Sequence, residues 1–145
     1  MDKINTFISE FTNFKIEGIV KKGRRYYCAN EEQIKLSEKI DRDLFSIGMF
    51  FGEQKKKFEP TPALIEIIAK HSDKKAFVNK KAEWLFLCGR DILGESIIKT
   101  NVTEGLILVQ NEKDENIGYG LIKKRKGIYE IKNLLDRGNY LRREH

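Results

Sequence analysis

The sequence predicts an α+β protein in two parts: an N-terminal α/β domain over residues 1–72 and a small β-barrel over 73–145. Three observations predict it. The first half carries apolar positions at helical spacing together with helix-start signals. The second half breaks into short apolar runs separated by polar or glycine-bearing turns, and the polar stretch His71-Ser72-Asp73-Lys74-Lys75 lies between the two patterns. A barrel is the economical closure for many short strands because it leaves fewer exposed edges.

Ile4, Phe7, Ile8, Phe11 and Phe14 recur at three-and-four spacing, which predicts a helix as far as Phe14 with one apolar stripe. Ile16, Ile19 and Val20 precede the basic turn Lys21-Lys22-Gly23-Arg24-Arg25, and Tyr26-Tyr27-Cys28-Ala29 follows it, so two strands are expected to join around Gly23. From a regular strand at most one of Tyr26 and Tyr27 faces inward, leaving the other exposed. Asn30 before Glu31, Glu32 and Gln33 resembles a helix cap and predicts a second helix to about Ile40. Leu44 to Phe51 is read as a buried strand with Phe45, Ile47, Met49 and Phe51 on one face. Thr61-Pro62 starts a third helix, since Thr accepts from unpaired amides and Pro at the first helical position loses no bond. Leu64, Ile65, Ile67 and Ile68 then form its buried face to about Lys70.

In the second half Ala76-Phe77-Val78 precedes Asn79, which caps a short helix over Lys81 to Cys88 unless Trp84-Leu85-Phe86-Leu87 is a strand; periodicity leaves both open. Gly105 to Val109 and Ile117 to Ile122 flank the polar tip Asn111 to Asn116 and read as a hairpin. Gly127 to Ile131 and Tyr140-Leu141 complete the strands. Gly118 and Gly120 lack the third glycine and opening helix of a dinucleotide loop, and are read as relieving crowding in a curved strand.

Composition excludes several classes. With 40% hydrophobic and 34% charged residues in 145, the chain is neither disordered throughout nor a fibre. No stretch approaches the ~18 uninterrupted apolar residues of a bilayer span, and Asp2, Asn5 and Glu10 interrupt any secretory segment. A cytoplasmic location without a membrane partner is expected. Cys28 and Cys88 are the only cysteines, show no zinc-ligand spacing and sit among apolar neighbours, so they are read as buried free thiols and no metal site is expected. His71 and His145 lack the setting of a general base, Asp41 and Asp43 read as a solvated turn, and Gly89 to Ser96 has Gly94-Glu95-Ser96 where a phosphate loop needs Gly-Lys-Ser/Thr. No catalytic residue, cofactor or small-molecule substrate is expected.

The net charge of +6 is asymmetric. Lys123 to His145 holds eight basic residues (Lys123, Lys124, Arg125, Lys126, Lys132, Arg137, Arg142, Arg143) against Glu130, Asp136 and Glu144. On charge alone, a polyanionic partner and a solvated basic face stand equally open. Arg24-Arg25-Tyr26-Tyr27, Lys123 to Lys126 with Tyr129, and Tyr140-Leu141-Arg142-Arg143 combine phosphate-neutralising charge with rings able to stack on bases, unless those rings pack on the core.

The segment Phe86-Leu87-Cys88-Gly89-Arg90-Asp91-Ile92-Leu93, the run Ile117-Gly118-Tyr119-Gly120 and the tail Leu135-Asp136-Arg137-Gly138-Asn139-Tyr140-Leu141-Arg142 occur in the order seen in PUA domains, the RNA-binding barrels of pseudouridine synthases and archaeosine transglycosylases. With the strand Phe45 to Gly52, the whole chain resembles the Nip-seven ribosome-biogenesis family, in which a small α/β domain precedes a C-terminal PUA domain. Glu95-Ser96 departs from the Pro-Gly that many PUA domains place before an Ile. The resemblance implies a non-enzymatic RNA-binding factor of archaeal type that acts in maturation of large-subunit rRNA. It places Arg142 and Arg143 on a basic RNA-binding face. Lys123, Lys124, Arg125 and Lys126 are added on charge, and Arg137 and Tyr140 belong to the same tail. RNA, rRNA in particular, is the expected partner, with pre-ribosomal proteins beside it. Two alternatives stay open: an RNA-modification enzyme or accessory subunit, with Cys28 or Cys88 as nucleophile, and a protein-interaction adaptor.

Overall fold

The structure is a computed structural model, and it describes residues 2–28 and 49–138. The helix expected from Asn30 to Ile40, the first part of the strand expected from Leu44, and the strand at Tyr140-Leu141 lie outside the described residues. The chain forms two compact units, Met1–Leu64 and Ile65–His145.

The first unit begins with α1 (Lys3–Ile8), capped by Asp2, whose carboxylate accepts from the Asn5 amide at 2.7 Å. The helix is shorter than the stripe predicted. Past its end the Glu10 amide bonds to Phe7 and the Phe11 amide to Ile8, each three residues back, so the chain tightens into turns while Ile4, Ile8 and Phe11 stay buried. The four strands β1 (Ile19–Lys22), β2 (Arg25–Cys28), β3 (Met49–Gln54) and β4 (Phe58–Pro60) form an antiparallel sheet in that order. Gly23, with φ of 63°, supplies the left-handed backbone of the two-residue turn between β1 and β2. The expectation that one tyrosine is exposed fails: Tyr26 and Tyr27 are both buried. A bulge between them shifts the register against β3, and each ring finds its own aromatic cover, Tyr26 edge-on to Phe58 at 5.9 Å and Tyr27 against Phe50 at 5.5 Å.

The helix α2 (Pro62–His71) starts at the expected proline, and Leu64, Ile65 and Ile68 are fully buried while Ile67 is partly so. Thr61 just before it donates its hydroxyl to the Phe50 carbonyl at 2.6 Å, which ties the helix start to β3.

In the second unit β5 (Lys75–Val78) leads through the cap Asn79 into α3 (Lys80–Leu87). The helix prevails over the strand because Asn79 accepts from the Ala82 amide at 2.9 Å and a helix turns Ala82 and Phe86, four apart, to the core while Trp84 stays 66% exposed. Then come β6 (Ile92–Leu93), a 3₁₀ turn (Gly94–Ser96), β7 (Ile97–Thr100), β8 (Gly105–Gln110), β9 (Asn116–Arg125) and β10 (Ile128–Asp136). Their order is β6-β10-β9-β8-β5-β7, antiparallel except for β5 with β8. The edge strands β6 and β7 are joined by only the three-residue turn, so the sheet curls back toward itself as a half-barrel. Phe86 lies within, among Val78, Ile92, Ile107, Val109, Ile122 and Ile131; each such side chain stabilises the fold by about 1.5–3 kcal/mol.

Candidate nucleic-acid interface

The basic run Lys123 to Lys126 ends β9 and turns into β10. Lys126 (φ 52°) and Gly127 (φ 80°) both adopt positive φ, the two-residue hairpin geometry whose twist matches the flanking strands. The pairing sets Arg125 across from Ile128, Lys124 from Tyr129, Lys123 from Glu130 and Lys132 from Leu121. Side chains alternate along a strand, so Ile122 and Ile131 enter the core while Lys123, Arg125, Ile128, Glu130 and Lys132 share the outward face. Leu93 stands across from Glu130 and is 65% exposed beside Ile128 at 62%. The outward face is therefore a strip of three cations and one carboxylate with apolar side chains between them.

The remaining candidates are placed differently. Lys124 alternates to the other side, with its ammonium 5.2 Å from the centre of the Tyr129 ring. Lys126 is exposed at the turn. Arg137 pairs with Glu66 at 3.4 Å and follows β10, whose last residue Asp136 is across from Gly118. It stands at the opposite end of the hairpin from Lys123 to Lys126, a strand run of about 20 Å or more. Tyr140, Arg142 and Arg143 lie outside the described residues. Lys132 belongs to the strip although only its charge, and not its placement, was readable beforehand. Once the turn is set at Lys126-Gly127, strand alternation assigns it to the face of Lys123 and Arg125.

The motif residues of the second unit hold the barrel together. Asn133 donates its backbone N–H to Asp91 Oδ1 at 2.8 Å, and its side-chain amide to the carbonyls of Phe86 (2.9 Å) and Arg90 (3.3 Å) and to Asp136 Oδ2 (3.2 Å). Leu134, beside it, is the extra residue of a bulge in β10. A Cβ on Gly118 would overlap the Leu135 carbonyl and one on Gly120 the Lys132 carbonyl, as expected for glycines that admit a neighbouring strand. At the β8–β9 tip the Gln110 side chain donates to Asp114 at 3.0 Å and Lys75 lies 3.3 Å away. The Gln110 bond foremost, and Lys75 with it, hold the Asp114 carboxyl below its ordinary range.

Two sequence readings need correction here. The rings of Tyr26 and Tyr27 are buried and present no stacking platform beside Arg24 and Arg25. Cys88 is exposed, because it ends α3 as the C-cap rather than continuing its buried face, and Cys28 is only partly buried; both are free thiols. Burial pushes the Cys28 thiol up. Among the described residues no group of three or more His, Cys, Asp or Glu is placed to hold a metal, and no helix is long and apolar enough to cross a membrane.

Comparison with known proteins bears on the second half above all. Residues 74–145 match the UPF0113 PUA domain family. A solved structure described as a conserved PUA domain protein from Thermoplasma acidophilum is similar in fold, with a TM-score of 0.56 and 16% identity over 93% of this chain and 89% of that one. No curated protein matches the chain. The half-barrel, the strand-crowding glycines and the family match agree on a PUA domain over residues 74–145, similar to the UPF0113 PUA domain, which points to RNA binding.

Proposed function

We propose that the chain is a non-enzymatic RNA-binding factor acting in ribosome biogenesis, in the maturation of large-subunit rRNA, with residues 73–145 as its RNA-binding module and residues 1–72 as a second module. The observation that carries the reading is the cationic strip Lys123, Arg125 and Lys132 on the outward face of a PUA domain. Phosphate contacts from such a strip supply affinity and position the RNA without reading its sequence, while the exposed Leu93 and Ile128 offer apolar contact to splayed bases. Arg142 and Arg143 extend the same charge along the tail. The ribosomal assignment rests on the resemblance to the Nip-seven family, which also suggests an archaeal type, a cytoplasmic setting and pre-ribosomal proteins as further partners.

The test is RNA affinity against salt. On single-stranded RNA each neutralised phosphate contributes about 0.7 to the slope of log affinity on log salt, so Arg142→Ala with Arg143→Ala should flatten it by about 1.4, and Lys123→Ala with Arg125→Ala by a similar amount. Unchanged slopes in both folded variants would refute this surface. Crosslinking followed by sequencing of the bound RNA identifies the target, and recovery of no rRNA would refute the ribosomal role.

A further inference from the structure

Among the described residues of the first unit, two turns that are far apart in sequence bring positive charge together. The β1–β2 turn carries Lys21, Lys22, Arg24 and Arg25, and the β3–β4 turn carries Lys55, Lys56 and Lys57. Both lie at one end of the sheet, because β3 runs antiparallel to β2 and finishes beside the first turn, where the Gln54 amide donates to the Arg24 carbonyl at 2.7 Å. Glu53 and Glu59 are the carboxylates on these strands, facing Arg25 at 4.0 Å and Lys55 at 3.3 Å. Among the described residues, seven cations and two anions thus gather at this end of the sheet, and four of those cations (Lys21, Arg24, Lys55 and Lys56) line a cleft with Gly23, Gln54 and Glu53.

We infer that this turn cluster is a second RNA contact, one that grips the sugar-phosphate backbone without reading sequence. The inference rests on the RNA-binding reading for the identity of the polyanion, and on the turns alone for the location. Two observations favour RNA. The excess charge suits phosphate. The exposed large apolar side chains among the described residues (Trp84, Leu93, Ile98, Ile128, Leu134) all belong to the second unit, so the cluster has no anchor of that kind for a lipid surface or a protein pocket. With Tyr26 and Tyr27 buried, the cluster offers no exposed tyrosine for base stacking. Two weak contacts on one strand raise overall affinity through effective concentration, which gives the first unit a direct part in binding.

The experiment uses the full chain and a single-stranded RNA long enough to engage both units. Arg24→Gln, Lys56→Gln and Lys57→Gln together remove three exposed turn cations that form no ion pair among the described residues, and should flatten the salt slope by about 2. Thermal unfolding confirms that the variant remains folded. A flattened slope here with an unchanged slope in Lys123→Ala, Arg125→Ala supports the turn cluster and overturns the PUA strip. The reverse pattern overturns the turn cluster and leaves the strip standing. A wild-type chain that fails to bind RNA overturns both.

Discussion

The Lys124 ammonium stands 5.2 Å over the ring of Tyr129, its partner across the β9–β10 pair, while Arg125, next in sequence, turns to the opposite face with Ile128. Four consecutive basic residues are therefore not one surface. Lys124 serves the hairpin through a cation–π contact, and Lys123 and Arg125 serve the outward strip.

This division predicts unequal effects from neighbouring substitutions. Lys124→Ala should lower stability by about 0.5–1 kcal/mol, measured by chemical denaturation, and leave the salt slope of RNA binding nearly unaltered. Arg125→Ala should show the opposite pattern, a slope reduced by about 0.7 with unchanged stability. Equal slopes for the two variants would show that both point to the RNA.

The glycines of β9 should be intolerant for a steric reason. Gly118→Ala and Gly120→Ala drive a methyl into the carbonyls of Leu135 and Lys132, and each should cost about 2–3 kcal/mol. Gly127→Ala has open space around it and pays only for φ of 80°, so a loss of about 1 kcal/mol is expected. Denaturant midpoints of the three variants compare these directly.

Asn133 binds the end of α3 and the segment after it to β10 through two side-chain contacts, to the Phe86 and Arg90 carbonyls, and bonds to Asp136 within β10. Asn133→Ala leaves the Phe86 and Arg90 carbonyls without that donor and should lower stability by about 1–3 kcal/mol. Amide exchange in α3 and β10 should accelerate together; acceleration confined to β10 would show that the link is not structural.

Thiol reactivity should follow exposure and burial. Cys88, exposed at the end of α3, should label first with an alkylating probe at neutral pH. Burial raises the Cys28 thiol above the ordinary cysteine value, so its thiolate is depleted at neutral pH and its labelling should climb only at pH more alkaline than an ordinary thiol requires. Mass spectrometry of each site across pH measures both. Loss of RNA binding on labelling Cys88 would count against a strip that excludes it.

Much of the fold was legible from signals within a few residues. Pro62 marked the start of α2, Gly23 and the Asn111 to Asn116 tip marked hairpins, and Asn79 announced α3, although periodicity left a strand open at Trp84 to Leu87. Cap, turn and proline chemistry act locally, so sequence neighbours suffice to reveal them. The basic bias of the C-terminal half was likewise a property of composition.

The sequence by itself determined which short segments turn, cap or pair, and where charge accumulates along the chain. Tertiary structure decided which side chains share a surface. The bulge that lets Tyr26 and Tyr27 both be covered depends on register against β3, and the meeting of Arg24 with Lys55 to Lys57 depends on β3 returning beside β2. The splitting of Lys123 to Lys126 between two faces depends on the pairing of β9 with β10. Strand pairing joins residues distant in sequence, and a register shift of one residue reverses the face of every side chain, so no local pattern encodes these placements.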